Sequence, residues 1–429
     1  MSKSKIYKYS FAYYLLSRIA FLFMRIYYRK IHIRGQENVP TDKPVIFAPN
    51  HKNGLMDPLL ILFSFPHDQI VFMAVSYFFA VNKTFSTFLR FLKMLPVYRA
   101  RENVADLDKN RDPFIEAIET LEQNKKLCLM PEGRQIEIRK LLPLVKGMFR
   151  IALFAQEKFG VSDGVKIIPV GIEYEDLNSS GRNVTIQFGK PLEMSDYFEL
   201  YLENPAKAYN TIRADLYPRI SELMLNVNSA NHYESIYLAT ILQTDDYIIE
   251  NKLADNVWNR LKAKQEICRN YLDEEKNNPE KLNILDAEMG RLLSSGKSSD
   301  KICRLLKKSQ TIDVLKIILL LPFFIPGATV MLLPYFIIKF SARKMANKGF
   351  YSSLSFVMGI FIPALFFILY FFIFRFFMSA LVSALISFVV IPILSIIAFK
   401  LKNLYFDTIQ RFFFRRKYQI KTQELFHFF

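Results

Sequence analysis

Cysteine and histidine are both scarce in this chain, and their placement restricts its chemistry. The three cysteines lie far apart at positions 128, 268 and 303, and the 429 residues contain no CxxC pair and no cluster of Cys and His. This pattern argues against a disulfide framework and a zinc site, and it predicts a reducing compartment for the soluble parts. We therefore expect no metal. Of the five histidines, only His51 lies in a context that suggests a function.

The chain also lacks an excess of acidic residues. It contains 57 Lys and Arg against 40 Asp and Glu, which gives a net charge of +17. Such a surface favours phosphates, acidic lipids or nucleic acid, but no platform of interleaved aromatic and basic residues is present. Because the basic clusters flank apolar segments, membrane lipids are the expected partner and nucleic acid is not.

The N-terminal residues do not have the pattern of a cleavable signal peptide. Residues 9–31 are apolar and aromatic, but Arg18 and Arg25 interrupt them and no small-residue cleavage site follows. Arginines in such a segment can reach lipid head groups while their stems stay among apolar groups. We predict an N-terminal interfacial membrane helix in residues 1–30, with an ordinary amphipathic helix packed on the domain as the alternative.

Residues 31–195 alternate between short apolar runs and helical patterns. The strand-like runs are rich in Val, Ile or Phe and have turn residues nearby; they are Ile31–Arg34, Pro44–Pro49, Ile70–Ala74, Leu127–Met130, Val165–Ile172 and Val184–Phe188. Helical patterns separate them at Leu55–Phe63, Phe79–Leu92, Pro113–Asn124 and Leu144–Phe159. This order predicts an α/β fold, a mixed sheet with flanking helices, whose functional site lies in the loops beyond the strand carboxyl ends.

The chain changes character twice after this domain. Strand patterns disappear from residues 196–312, which predicts a helical domain or insert. Residues 313–400 are strongly apolar and predict a membrane region, in which 354–374 and 378–399 are each long enough to cross a bilayer core of ~30 Å. Flanking basic residues predict that the outer ends of both spans and a basic tail at 401–429 are cytoplasmic.

The first apolar stretch, residues 315–338, differs from the other two. It contains Pro322, Pro326, Gly327 and Pro334, and basic residues flank it on both sides. Both ends are therefore expected in the cytoplasm. We predict a re-entrant hairpin bent at Pro326-Gly327 and shielded by the neighbouring helices, with a kinked helix that spans the membrane as the alternative.

A histidine and an aspartate follow the second predicted strand. His51 comes directly after Pro44–Pro49 and Asn50, and Asp57 lies six residues further on. A carboxylate that accepts from one imidazole nitrogen leaves the other nitrogen to act as a general base. The pair alone is a weak signal, because a turn histidine next to a helix has the same spacing. Lys52, beside His51, is interpreted as a solvated or phosphate-steering charge.

Three further blocks follow in order. Arg99 and Arg101 come after the apolar run Leu95-Pro96-Val97, and arginine forks bind phosphate in bidentate fashion. Met130-Pro131-Glu132-Gly133-Arg134 follows the strand at Leu127–Met130, and Lys146 comes before the next helix. The strand Val165–Ile172 contains Pro169, which predicts a sheet edge or a strand end at that position.

These four blocks together resemble the glycerolipid acyltransferase family, which includes glycerol-3-phosphate and lysophosphatidic acid (1-acylglycerol-3-phosphate) acyltransferases, over about residues 30–195. The resemblance implies that His51 and Asp57 are catalytic and that Arg99 binds the phosphate of the acceptor. It implies that Glu132 and Gly133 help to hold the acceptor, and Arg101, Lys146 and Arg134 are further candidates for substrate binding. It also implies a fatty acyl transfer from acyl-CoA or acyl carrier protein to a phosphorylated glycerol or lyso-lipid, with no cofactor.

The sequence departs from the family pattern in two places. Five residues separate His51 from Asp57 where the family usually has four, and Met56 stands at the usual acid position. One added helical residue turns a side chain by ~100°, so a local backbone detour is expected. The third block lacks the threonine of the family, and Arg134 is either the family arginine shifted by a deletion or unrelated to it.

Two other interpretations remain open. The acceptor could be another lyso-lipid, since the motifs do not separate these substrates. The chain could instead be a membrane-anchored lipid-binding protein with weakened catalysis, which the extra residue before Asp57 and the altered third block would both support. For the acyltransferase, we expect a multi-pass protein of the inner (plasma) membrane with its catalytic domain in the cytoplasm, where acyl donors are found.

Overall fold

The computed structural model describes residues 5–99, 108–160, 164–306, 311–344 and 348–418, with backbone alone at 311–314, 348 and 415–418. Arg101 lies outside these residues. The chain divides into two compact units. The first unit comprises residues 1–22, 31–173 and 184–225, and the second comprises residues 23–30, 174–183 and 226–429.

The first unit is built on a sheet that, within the described residues, has eight strands. They are β1 Lys30–Arg34, β2 Val45–Pro49, β3 Val71–Val75, β4 Met94–Val97, β5 Lys126–Cys128, β6 Lys166–Tyr174, β7 Asn183–Phe188 and β8 Leu192–Glu193. The order is β1-β7-β6-β2-β5-β3-β4, and β8 pairs with β6. Strands β2 to β6 run parallel to one another, whereas β8 is antiparallel to β6. The expected mixed α/β sheet is confirmed.

Seven helices accompany this sheet along the described chain: α1 Phe11–Tyr27, α2 Met56–Ser64, α3 Lys83–Phe91, α4 Arg111–Glu122, α5 Gly147–Phe159, α6 Phe198–Glu203 and α7 Pro205–Ser221. The helix expected over Phe79–Leu92 starts later, at Lys83. Its start is set by Asn82, whose side-chain oxygen accepts from the Phe85 N–H at 2.8 Å, a favourable helix cap.

The core of the first unit lies around the middle of the sheet. All five residues of β2 are buried, as is usual for a central parallel strand covered on both faces. Pro169 lies inside β6, opposite Ala48 of β2, so the expectation that it marks an edge or a strand end is wrong. The carbonyl of Pro169 still accepts from the Gly189 N–H at 2.9 Å, and the sheet continues past the missing donor.

The second unit contains two groups of helices. The first group is α8 Tyr233–Glu250, α9 Val257–Asn277, α10 Pro279–Leu293 and α11 Ser299–Leu306. The second group is α12 Thr311–Arg343, α13 Tyr351–Arg375, α14 Ala380–Leu385 and α15 Ile391–Tyr418, with a π-helical segment at Ile386–Val390 between the last two. The division of the chain into five sequence domains stays a prediction.

Three helices in the described part of the chain are long and apolar enough to cross a membrane: Leu315–Arg343, Tyr351–Arg375 and Ala380–Phe414. The last two contain the expected spans 354–374 and 378–399. The re-entrant hairpin expected for the first stretch is wrong, because α12 is one continuous helix over Thr311–Arg343. Gly327 serves close packing instead of a bend, since a Cβ there would lie 2.1 Å from the Leu394 carbonyl oxygen.

Candidate active site

The predicted functional residues follow parallel strands at one edge of the sheet. His51 follows β2, Arg99 follows β4 and Glu132 follows β5. Since these strands are parallel, their carboxyl ends share one edge. Strands β2 and β5 are neighbours, whereas β4 is three positions from β2 in the sheet. At the usual spacing between strands, this separation is about 14 Å.

Asn50 extends the pairing of β2 with β6 by one residue. Its backbone N–H donates to the Val170 carbonyl at 3.2 Å. Its side-chain amide donates to the Ile172 carbonyl at 3.0 Å and accepts from the Ile172 N–H at 2.7 Å. The side chain thus imitates a further residue of the ladder, and it fixes the point at which the chain leaves the sheet toward His51.

The imidazole of His51 contacts Asp57 directly. Nδ1 of His51 lies 2.9 Å from Oδ2 of Asp57, and the same oxygen accepts from the N–H groups of Lys52 and Asn53 at 2.8 Å each. Residues 51–55 therefore form a turn closed around this one oxygen. That turn is the backbone detour that the five-residue spacing requires.

Solvent reaches the two members of this pair unequally. The Asp57 side chain is fully buried, whereas that of His51 is 15% exposed. Asp57 also lies in the first turn of α2, where the helix dipole favours an anion. With Nδ1 donating to Asp57, the lone pair of the imidazole is on Nε2. The arrangement suits a general base whose proton-accepting nitrogen is set by its partner.

Both carboxylate oxygens of Glu132 are engaged inside the protein. Oε1 accepts from the His51 N–H at 2.6 Å, and Oε2 accepts from the Leu142 N–H at 2.7 Å. The ammonium of Lys52 lies 3.6 Å from Oε2. Glu132 is buried, so these contacts join it to the backbone of the histidine segment.

Gly133 allows the loop after β5 to turn where it must. Its φ of +64° lies in the left-handed region that favours glycine. A Cβ at this position would come within 3.2 Å of the Val145 side chain. The Val145 N–H donates to the Pro131 carbonyl at 2.7 Å, and this bond ties the loop to the residue before Lys146.

Lys52 is buried, so its interpretation as a solvated charge is wrong. Its side chain is 1% exposed, and Nζ donates to the Lys140 carbonyl at 2.5 Å. Burial lowers the pKa of Lys52, opposed by the carboxylates of Glu132 and Asp57. Burial likewise raises the pKa of Glu132, opposed by Lys52 and by the two backbone N–H donors. The two opposite charges therefore compensate each other in a site that water does not reach.

A second buried ion pair lies beside the first. Nε of Arg139 is 3.2 Å from Oε1 of Glu173, and both side chains are buried. Both charges interact electrostatically with Lys52. The sequence contained one signal for this pair, since Glu173 interrupts the apolar run of β6. Nothing in the sequence singles out Arg139.

Three further predicted residues, Arg99, Arg134 and Lys146, are not fully buried, and we call them the rim residues. Arg99 is partly buried, and the chain before it is held by Asn110, whose side chain bonds both the N–H and the carbonyl of Tyr98. Arg134 and Lys146 are exposed, and Lys146 stands at the N-terminus of α5. The structure thus brings His51, Asp57 and Glu132 into one bonded group.

The described residues contain no candidate metal site. No three His, Cys, Asp or Glu side chains there converge so as to hold a metal ion. The carboxylates of Asp57 and Glu132 instead accept hydrogen bonds from backbone N–H groups. They also lie next to the His51 imidazole and the Lys52 ammonium.

Comparison with known proteins gives two findings. Residues 30–173 match the Acyltransferase family, and this range contains His51, Arg99, Glu132 and Pro169. Among solved structures, the chain is similar to the 1-acyl-sn-glycerophosphate (LPA) acyltransferase PlsC from Thermotoga maritima, at 20% identity and a TM-score of 0.35. That similarity covers 49% of this chain and 78% of the other. No curated protein matches the chain.

Proposed function

We propose, on the premise that residues 30–173 form an acyltransferase domain, that this chain transfers a fatty acyl group to a hydroxyl of glycerol-3-phosphate or lysophosphatidic acid. The acyl donor is a thioester, acyl-CoA or acyl carrier protein. The observation that carries the proposal is the contact between His51 Nδ1 and Asp57 Oδ2. It leaves Nε2 of His51 as a base at the sheet edge where acceptor-binding residues are expected.

The reaction proceeds by direct transfer. Nε2 of His51 takes the proton of the acceptor hydroxyl as its oxygen attacks the thioester carbonyl. The C–S bond then breaks, and the thiolate leaves and is protonated by the imidazolium. Asp57 stabilises the positive charge on the ring while it lasts. General-base assistance of this kind contributes about 10²–10⁴-fold, and positioning of the two substrates can contribute further.

The cysteine nearest to this pair is poorly suited to carry an acyl group. Cys128 ends β5 and is fully buried. Burial raises the pKa of its thiol well above the ordinary value, and the Asp57 carboxylate raises it further. Because the thiolate is the nucleophile of cysteine, this side chain stays unreactive at neutral pH. Its state supports transfer without an acyl-enzyme.

Glu132 and Lys52 act as positioning residues in this proposal. Glu132 holds the His51 backbone and the Leu142 backbone at once, and Lys52 balances its charge. Each of these contacts keeps the histidine segment in the geometry that general-base catalysis needs. The acceptor would meet the imidazole edge of His51 without touching the buried carboxylates.

Arg99 is the proposed anchor for the acceptor phosphate. It follows β4 at the same sheet edge as His51, and a guanidinium fork matches the oxygens of a phosphate. Arg134 and Lys146 add positive charge near the loop after β5. Lys146 stands at the N-terminus of α5, which also favours an anion. Arg101 is a further candidate in the segment after Arg99.

The membrane segments suit an enzyme that releases a lipid. Three helices among the described residues are long and apolar enough to span a bilayer. We propose a multi-pass protein with its catalytic domain on the cytoplasmic face of the inner (plasma) membrane. Helix α1 exposes Phe11, Leu15, Ile19 and Leu22, which recur at helical spacing on one side. This exposed face supports the interfacial role proposed for the N-terminal helix.

The alternative of a weakened lipid-binding protein rests on the extra residue before Asp57 and on the altered third block. The turn closed by Lys52 and Asn53 answers the first of these arguments, because the carboxylate reaches the imidazole despite the longer spacing. An acceptor other than glycerol-3-phosphate or lysophosphatidic acid remains a second candidate within the same chemistry, and the test includes it.

The test is an acyl-transfer assay on the full-length protein in membranes. Radiolabelled acyl-CoA and acyl carrier protein are each offered with glycerol-3-phosphate, lysophosphatidic acid and phosphate-free lyso-lipids. We expect transfer to the first two acceptors and none after His51→Ala. His232→Ala is the matched control, because His232 also pairs with a carboxylate, Asp286, at 2.7 Å in the second unit. Transfer that survives His51→Ala would contradict the mechanism.

A further inference from the structure

A cluster of basic side chains lies within the second unit, outside the acyltransferase domain. Its members come from the segment 174–183 and from α11, α12 and α15. We define the arginine cluster as Arg182, Lys301, Arg304, Lys339 and Lys402. No part of the proposed reaction uses it.

Two buried ion pairs form the centre of the arginine cluster. Nη2 of Arg304 lies 2.6 Å from Oδ2 of Asp176, and Nη2 of Arg182 lies 2.5 Å from Oδ2 of Asp407. The two arginine side chains are each only 11% exposed. Nε of Arg304 is 3.9 Å from Asp407, which brings both guanidinium groups to one carboxylate.

The lysines of the cluster add charge that the two carboxylates do not balance. Lys339 and Lys402 both approach the ring of Tyr335, with Nζ at 5.4 and 6.0 Å from its centre. Lys402 also donates to the Ser180 hydroxyl at 2.5 Å. Lys301 is repelled by Arg304 and Lys339, and burial together with this repulsion lowers its pKa. Asp300 also acts on Arg304, so the five cations of the cluster face three acids, Asp176, Asp407 and Asp300.

Several donors at the centre have no hydrogen-bond acceptor. Within the described residues, Nε of Arg182 and both Nε and Nη1 of Arg304 are buried and make no hydrogen bond. A buried donor on a charged group that stays unbonded destabilises the fold, because it has lost its hydrogen bonds to water. An anion with several oxygen acceptors would bond these nitrogens and balance the surplus charge. Phosphate has this chemistry, and guanidinium groups match its geometry.

The position of the cluster indicates where such a phosphate comes from. Lys339 lies in the last turns of the candidate span Leu315–Arg343, and Lys402 lies just beyond the apolar run of the candidate span Ala380–Phe414. Basic pockets at the ends of neighbouring membrane helices are suited to acidic lipid head groups. We propose that the arginine cluster binds the phosphate of an acidic phospholipid at the membrane border. This inference does not depend on the proposed function.

The experiment measures lipid binding to the full-length protein purified in a mild detergent. Dioleoyl phosphatidic acid, dioleoyl phosphatidylcholine and inorganic phosphate are titrated separately, and native mass spectrometry counts the bound molecules. We expect the phosphatidic acid to bind at least about tenfold more tightly than the phosphatidylcholine, because the latter carries no net charge. Equal binding of the two lipids would overturn the proposal, and so would binding of inorganic phosphate alone.

The double variant Lys339→Gln, Lys402→Gln tests the location. It leaves both buried ion pairs in place, so the fold should persist, and we expect affinity for phosphatidic acid to fall by about tenfold. The control is Lys262→Gln, Lys276→Gln, which removes the same charge from exposed positions of α9. The site assignment is overturned if the control weakens binding as much as the test variant does, or if neither does.

Discussion

Nδ1 of His51 and Oδ2 of Asp57 lie 2.9 Å apart, although five residues separate them in the chain. The turn between them converges on a single carboxylate oxygen, which also accepts the N–H groups of Lys52 and Asn53. A helix-like path would have rotated the extra residue away by ~100°. The position of the acid is therefore decided by hydrogen bonds to the backbone, and not by the count of residues.

Asp57→Asn should remove most of the activity with little change in the fold. The amide cannot accept from Nδ1 as the carboxylate does or stabilise the imidazolium, so kcat should fall by about 10²–10⁴-fold. Steady-state kinetics with both substrates measure this. Asp286→Asn, which alters the carboxylate that partners His232, is the control and should keep its activity. If Asp57→Asn and Asp286→Asn lost equal activity, the contact between His51 and Asp57 would matter for folding and not for proton transfer.

Lys52→Met should destabilise the first unit and also lower kcat. Removing one partner of a buried ion pair leaves Glu132 uncompensated, which costs about 3–5 kcal/mol. Glu132 holds the His51 backbone, so kcat should fall more than KM changes. Thermal unfolding in detergent and kinetics at a temperature where the variant is folded separate the two effects.

The control for Lys52 is Lys93→Met. Lys93 is also buried, and its Nζ donates to the backbone carbonyls of Ile6 and Lys8. Its loss should lower stability without lowering kcat. The double variant Lys52→Met, Glu132→Gln should recover part of the lost stability, because the uncompensated charge is gone. If kcat fell equally in Lys52→Met and Lys93→Met, the loss would come from lower stability, and Lys52 would have no role in positioning His51.

Arg99→Lys should weaken acceptor binding selectively. The lysine keeps the charge but loses the fork that bonds phosphate in two places. KM for a phosphorylated acceptor should rise about tenfold or more, while KM for the acyl donor stays the same. Arg90→Gln, on α3, is the control. KM for an acceptor without phosphate should be unchanged by Arg99→Lys. If KM for every acceptor that the protein uses were unchanged, the result would favour the second candidate, a lyso-lipid other than glycerol-3-phosphate or lysophosphatidic acid.

Asp176 should make the second unit sensitive to acid. Burial alone would raise the pKa of Asp176, but the charge of Arg304 and bonds from Ser179 and Asn178 outweigh it and hold the pKa below its ordinary 3.8. The stabilising contribution is thus complete above pH 3.8 and is lost as the pH falls through the lower folded value. Asp176→Asn should be less stable than wild type at pH 6 and should lose less between pH 6 and pH 3.

Thermal unfolding at a series of pH values tests the prediction for Asp176. Asp273→Asn, at an exposed position of α9, should follow the wild-type curve. A wild-type protein whose loss of stability below pH 4 matched that of Asp176→Asn would show that the Arg304 pair contributes nothing.

Gly327→Ala should disturb the packing of α12 on α15. Its Cβ would lie 2.1 Å from the Leu394 carbonyl oxygen, so the helices must separate. Overpacking of this kind costs about 1–3 kcal/mol. Gly359→Ala in α13 is the matched control, since a Cβ there meets nothing within 4 Å. It should be neutral or stabilising. Unfolding in lipid nanodiscs compares the two variants.

The strands and the contact between His51 and Asp57 were predictable because their signals are local. Apolar runs between turn residues marked β2 and β6 within a residue or two, and His51 and Asp57 stood at the end of a strand. The contacts of Glu132 and the burial of Lys52 were not predictable, because they depend on which loops meet at the sheet edge. The sequence around Lys52 contains no signal that this charged side chain is buried.

The continuous course of α12 through the apolar stretch was also not predictable from the sequence. Pro326-Gly327 has the composition of a turn, and basic residues on both sides favoured a hairpin. The decisive fact is the neighbour of Gly327, the carbonyl of Leu394, which is 67 residues away in sequence. A glycine required for close helix approach and a glycine required for a bend cannot be told apart without that neighbour.

Under the proposed function, the burial of Glu132, Lys52 and Asp57 keeps the groups that support proton transfer apart from the residues that bind the substrate. The proposed substrate meets the exposed edge of His51 and the rim residues, whereas the three buried side chains meet only protein. Substitutions of the rim residues should therefore change the preferred acceptor and leave the contacts among the buried side chains intact. Changes of acceptor preference are therefore expected from substitutions at Arg99 and its neighbours, whereas substitutions in the buried group should lower transfer to every acceptor alike.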